Sequence, residues 1–234
     1  SIVEVQNFDD ENIEPTINII LNLESLVTEV DNWEPGAMGF AFSPNFKEDK
    51  LIFVSYSNKN NQLVLSKFKY DVETRKALVS SEVKILIIDR YHDVEADLDD
   101  HVCGTIKFNP IDNFLYLCSG DVRRPDEAQN LNKYYGKILR INPFVNDNGK
   151  NYSAVKENPF KELEGKPEIL FTGLRNPWSF SFDSKTGDIY MHSAGKLSFV
   201  ASELMITEFG NTQEEAIKSS MGTILKMLDF YKED

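Results

Sequence analysis

Apolar and polar residues alternate over much of the first 195 positions of the chain. INIILNL, residues 17 to 23, alternates with period two and reads as a strand. GAMGFAFSPNF, residues 36 to 46, follows a Pro-Gly break; Met38, Phe40 and Phe42 fall to one side and Gly39 and Ala41 to the other. Ser43, Pro44 and Asn45 supply the turn that ends it. LIFVSYS (51 to 57), LVLSKFKYD (63 to 71) and VKILIID (83 to 89) are three further strands joined by polar turns. Residues 36 to 89 therefore predict four consecutive antiparallel strands.

After an acidic loop at 89 to 100 the pattern starts again. CGTIKFNP parallels MGFAFSPN, and FLYLCSGD parallels LIFVSYSN. GKILRIN (136 to 142) and EILFTGL (168 to 174) complete a second set of four, and a third set opens with WSFSFDSKTGDIYMHSAG (178 to 195). A weak repeat of about 45 to 70 residues with four strands per unit predicts an all-β fold of the β-propeller type. The repeat covers 1 to 195 and is followed by a divergent tail, 196 to 234. Within the tail, residues 212 to 232 predict a C-terminal α-helix: Thr212 and Glu215 make a capping box, and Ala216, Ile217, Ser220, Ile224, Leu225 and Leu228 share one face.

Sixteen Phe and nine Tyr agree with a strand-rich chain, and 41% hydrophobic residues suffice for a sizeable core in 234 residues. A formal net charge of −13 argues against nucleic acid or an anionic membrane as partner. No stretch approaches the roughly 20 apolar residues of a membrane span. The first residues, SIVEVQNFDDENIEP, are acidic and do not resemble a signal peptide, and a start at Ser1 is what a mature form or a fragment would show. Cys103 and Cys118 lie on neighbouring strands; two buried, unlinked small apolar residues are the simpler expectation.

Candidate chemistry concentrates in DHVCGTIKFNPIDNFLYLCSGD, residues 100 to 121. His101, one of only three histidines, stands on a loop just before a strand, with Asp100 before it. That placement suggests chemistry displayed on the rim of a β scaffold. Asp121 reads as a loop cap, and the acidic run at 93 to 100 reads as a solvated loop, since it lacks the glycine and terminal glutamate of a calcium-binding EF-hand. His92 and His192 read as structural or exposed.

Four segments in order carry a resemblance: GAMGFAFSPNF; HVCGTIKFNPIDNFLYLCSGD; AQN with GKILRINP and then NPF at 158 to 160; and EILFTGLRNPWSFSFDSKTGDIY. Together they resemble the soluble quinoprotein glucose/sorbosone dehydrogenases, whose domain also occurs in Hedgehog-interacting-protein-like propellers. The resemblance implies a six-bladed propeller, of which this chain holds about half the blades. It also implies pyrroloquinoline quinone (PQQ) as cofactor with calcium beside it, an aldose sugar as substrate, and a periplasmic or extracellular location. By the same resemblance His101 is the general base with Asp100 next to it, Arg175 and Asn176 contact the cofactor, and Glu34 lies at the pocket mouth. Val102 and Cys103 stand where the family has Asn-Gly, Ser43 where a histidine is common, and His192-Ser193-Ala194-Gly195 in place of Asp-Val-Gly. Half a propeller leaves open strand edges through which copies of the chain could associate. The competing expectation is a non-catalytic binding or scaffold domain that keeps the fold.

Overall fold

The structure, a computed structural model, describes residues 1–7, 13–27, 36–89, 101–160 and 165–194. The tail with its expected helix lies outside the described residues, as do Glu34, His92 and Asp100. Among the described residues the fold is almost wholly antiparallel β, and no helix is long and apolar enough to cross a membrane.

The first sheet contains β3 (Ala37–Phe42), β4 (Leu51–Ser57), β5 (Leu63–Asp71) and β7 (Val83–Ile88) in that spatial order, with the two-residue β6 (Lys76–Ala77) also on β5. A single helical turn, α1 (Phe46–Asp49), fills the connection from β3 to β4. The second sheet repeats this plan with β8 (Ile106–Phe108), β9 (Leu115–Ser119), β10 (Lys137–Asn142) and β12 (Ile169–Phe171), the short β11 (Ser153–Ala154) pairing with β10. A hairpin of β13 (Asn176–Phe182) and β14 (Ile189–Ala194) opens the third unit. Ahead of all these, β1 (Ile2–Gln6) pairs with β2 (Thr16–Leu21). The acidic N-terminal segment gave no hint of β1, whose polar residues alternate with Ile2, Val3 and Val5 only loosely.

The internal repeat is visible in the turns. Ser43 N–H donates to the Leu51 carbonyl, Asn109 N–H to Phe114 and Asp183 N–H to Asp188, at 3.0, 3.1 and 2.9 Å. Each bond closes the link between the first and second strand of its unit. The first strands of the two complete sheets also approach closely: a Cβ on Gly39 would lie 2.5 Å from the Gly104 carbonyl oxygen, which already accepts the Ser55 hydroxyl.

Period-two alternation serves two layers at once. On β4, Phe53 packs toward the second sheet with Leu63, Leu65, Ile106, Leu115 and Leu117, while Ile52, Val54 and Tyr56 pack on the other side with Leu21, Leu23 and Phe68. On β9, Leu115 and Leu117 face the first sheet, while Tyr116 and Cys118 face Phe180 and Ile189 of the third unit. Each such fully buried side chain contributes on the order of 1.5–3 kcal/mol, so the face-to-face stacking is the main source of cohesion. On β3 the strict alternation fails. A bulge between Ala37 and Gly39 puts Met38 with Ala41 against the second sheet and Phe40 on the opposite side.

Two buried charges are accommodated within the second sheet. Glu168 is fully buried and accepts from Tyr152 Oη at 2.6 Å and Lys150 Nζ at 2.8 Å. Burial alone would raise its carboxyl, but these two donors hold it below the usual range. Lys137, also fully buried, donates from Nζ to the carbonyls of Ala128 (2.6 Å) and Tyr135 (2.7 Å). Burial pushes this amine down to about 7, with the Glu127 charge drawing it partly back. The unfolded chain therefore holds the extra proton between about pH 7 and 10, and the contribution of this group to stability rises with pH across that window. Lys137→Met should remove that slope in pH-dependent urea unfolding, and at neutral pH should cost about 1–3 kcal/mol by stranding the carbonyls.

Candidate active site at the sheet rim

The connections that enter the first strands of the second and third units meet at the end of β9. Residues 101 to 104 precede β8, and residues 173 to 175 precede β13. Three of the four residues in the first loop have left-handed backbone: His101 at φ +63°, Cys103 at +53° and Gly104 at +141°. Left-handed turns let this short loop run back along the end of β9. Gly120 N–H donates to the Val102 carbonyl at 3.0 Å, and Cys118 N–H to the Thr105 carbonyl at 3.1 Å. Gly120 is required here, because a Cβ would fall 1.7 Å from the His101 carbonyl oxygen.

The third unit joins through backbone bonds. Gly136 N–H donates to the Gly120 carbonyl at 2.8 Å, Leu174 N–H to Gly136 at 3.0 Å, and Asp121 N–H to the Arg175 carbonyl at 2.7 Å. In this way His101 and Arg175, far apart in sequence, both come to bond Asp121.

His101 Nδ1 lies 2.8 Å from Asp121 Oδ1. The side chains are 12% and 3% exposed respectively. A carboxylate only accepts, so Nδ1 carries the proton and donates it to Asp121. In the neutral ring Nε2 then carries the lone pair, the form a general base requires. Asp121 Oδ1 also accepts the Arg123 N–H at 3.0 Å, which holds the turn after β9. The loop-cap reading of Asp121 is correct as far as it goes; the same oxygen also orients the histidine. The orienting carboxyl that the structure places against His101 is Asp121, twenty residues on, while Asp100 lies outside the described residues. A sequence signal for Asp121 exists: in an antiparallel pair the start of one strand meets the end of the next, so Asp121 ends up beside His101.

Asn176 is the first residue of β13, where a register shift before Ser179 bends the strand. It is buried, and its side-chain Oδ1 has no hydrogen-bond partner among the described residues. An orphaned buried acceptor is costly and is a mark of a site that a ligand completes. Arg175 is half-buried beside it. Glu34 lies outside the described residues. Among the described residues no three His, Cys, Asp or Glu side chains gather as a metal-binding cluster. His192 is exposed on β14.

The expectation of two unlinked cysteines is wrong. Cys103 and Cys118 form a disulfide, with a Cα–Cα separation of 6.0 Å, and both are buried. The left-handed turn at Cys103 brings its side chain onto β9, and nothing in strand alternation signals that turn.

Other motifs turn out to hold the scaffold. Asn158 of NPF is buried and donates from Nδ2 to the carbonyls of Arg140 (2.9 Å) and Pro167 (2.8 Å). Lys137 of GKILRI fixes the turn at 127 to 129.

Residues 10–199 match the family model described as Glucose / Sorbosone dehydrogenase. The HIPL2 protein of Arabidopsis thaliana is 42% identical over 102 residues, covering 38% of this chain and 14% of the relative. Quinoprotein glucose dehydrogenase B of Acinetobacter calcoaceticus is 25% identical over 199 residues, covering 71% of this chain and 37% of the relative. The PQQ-bound aldose sugar dehydrogenase of Streptomyces coelicolor superposes with a TM-score of 0.60 at 20% identity, over 78% of this chain and 48% of that one, a likeness of fold. The chain thus spans less than half the length of each of these proteins. With most of its length matched and its sheets stacked as in the solved sugar dehydrogenase, the chain belongs to the glucose/sorbosone dehydrogenase family.

Proposed function

We propose that this chain provides the proton-accepting part of a PQQ-dependent site that oxidises an aldose sugar, with His101 as general base. The observation that carries the reading is the 2.8 Å contact from His101 Nδ1 to Asp121, which leaves Nε2 free to accept a proton. The residues present fit a bound quinone: Asn176 Oδ1 is a buried acceptor lacking a donor, and a guanidinium at Arg175 suits a ligand that carries carboxylates. Arg175 and Asn176 would hold the cofactor, with Glu34 at the pocket mouth by resemblance. When bound, the quinone would accept hydride, a chemistry no side chain supplies. His101 then takes the hydroxyl proton of the sugar at Nε2, and Asp121 fixes the ring's tautomer and stabilises the positive charge that the imidazole gains. Burial of the pair strengthens this support, since a nearby carboxylate acts more strongly away from water. Calcium belongs to the proposal through family resemblance.

The buried disulfide supports a location in the periplasm or outside the cell, where such bonds persist. A second reading, a binding domain without catalysis, is favoured by the 25% identity over 185 residues to the Hedgehog-interacting protein of Homo sapiens, named for an interaction, and by Val102-Cys103 in place of Asn-Gly. The two separate in one assay, reduction of a dye by an aldose panel after addition of the quinone and calcium. Sugar-dependent reduction establishes the enzyme reading; saturable quinone binding with no turnover on any aldose establishes the other.

A further inference from the structure

We propose that the Cys103–Cys118 disulfide is a positioning device for His101, setting the loop so that the ring meets Asp121. This rests on His101 being the proton-accepting group, but its test needs neither quinone nor sugar. Residue 103 lies two positions from the histidine, and residue 118 lies three positions from Asp121. The link therefore ties together the two segments that carry the pair. It is buried, with Cys103 7% and Cys118 0% exposed, so it is sheltered from solvent.

The loop has reason to need a tie. His101 and Cys103 are both left-handed, a conformation that strains a non-glycine residue. Opposing this are bonds that hold the loop backbone: Gly120 N–H to the Val102 carbonyl, Cys118 N–H to Thr105, Val122 N–H to His101 at 3.4 Å, and the Ser55 hydroxyl to Gly104. These bonds hold the loop on either side of Cys103, whose left-handed turn remains a local strain that the disulfide offsets. The buried Val102 side chain adds an anchor between them. A covalent bond at Cys103 removes the remaining freedom at the one position where a glycine would adopt φ +53° without cost.

Two variants should have opposite outcomes. In Cys103→Ser/Cys118→Ser the tie is lost and the left-handed cost stays. In Cys103→Gly/Cys118→Ala the tie is lost but the cost at 103 is lifted. The readout is ¹⁵N–¹H NMR of histidine-labelled full chain at neutral pH, with His101 assigned from a His101→Asn variant. A hydrogen-bonded Nδ1–H gives a downfield proton and a ring with a single tautomer. The serine pair is expected to lose the downfield signal and show mixed tautomers, and the glycine pair to regain the wild-type pattern.

Retention of the wild-type pattern by the serine pair overturns the proposal. So does failure of the glycine pair to fold or to show the signal, because the disulfide would then be a staple of the fold. Should the serine pair fail to fold, the glycine pair decides: folded with the signal supports positioning, folded without it refutes positioning. The quinone titration is unaffected by any of these results, so the two readings fail separately.

Discussion

Replacing His101 by Asn should abolish most sugar-dependent turnover while leaving the quinone in place. The expected loss in kcat is about 10²–10⁴-fold, the usual range for a positioned general base. The reason is local. Asn at 101 keeps a polar side chain in a left-handed position that Asn tolerates, so the loop backbone survives. What disappears is the basic Nε2. Asp121→Asn should act through the same atom without removing it. Oδ1 serves both the Arg123 N–H and His101 Nδ1, so an Asn oxygen in its place keeps the turn and the tautomer, and what is lost is the negative charge that supports the imidazolium. The fall in kcat should be about tenfold, the roughly 1–1.5 kcal/mol by which a charged hydrogen-bond partner exceeds a neutral one, with the sugar KM little changed. Equal kcat values for wild type and both variants in a dye-reduction assay would remove His101 from the mechanism.

Gly120→Ala should be the most damaging single methyl addition in the described part of the chain. Its Cβ would sit 1.7 Å from the His101 carbonyl oxygen and 2.4 Å from the carbonyl carbon. Both are backbone atoms, so no rotamer change relieves the clash and the His101 loop must leave β9. The bond from Gly120 N–H to the Val102 carbonyl goes with it. A loss of at least about 3 kcal/mol in urea unfolding is expected. Gly149→Ala is the control: it has nothing within 4 Å of its Cβ, and its φ of +77° alone should cost about 1 kcal/mol. Near-equal losses for the two variants would mean that the loop does not pack on β9 as described.

The strands of the two complete sheets were legible because stacked sheets bury both faces of each strand, and this leaves long apolar runs such as LIFVSYS and LVLSKFKYD. The turns were legible for the same reason at smaller scale, since Ser-Pro-Asn, Asn-Pro and Ser-Lys-Thr-Gly close equivalent links. Features that depart from regular period were hidden. The bulge at Ala37–Gly39 reverses Met38, and the left-handed turn at Cys103 turns an apparently apolar strand residue into half of a disulfide. The site was legible in half. His101 stood out as a rare residue before a strand, but its partner was sought next to it in sequence. The partner came instead from across the hairpin, because antiparallel pairing joins residues by register and not by adjacency. For Asn176 the motif drew attention, and only the structure could reveal the orphaned oxygen that gives it a reason to bind something.

The central claim is that this rim is a quinone site built on Asn176, Arg175 and the His101–Asp121 pair. Its most direct test is an absorbance titration of the purified chain with pyrroloquinoline quinone in calcium buffer, run beside Asn176→Ala. Saturable binding of one equivalent, weakened about tenfold by loss of a hydrogen bond to the orphaned oxygen, is the expected result. A spectrum that never saturates, or wild-type affinity retained by Asn176→Ala, would contradict it.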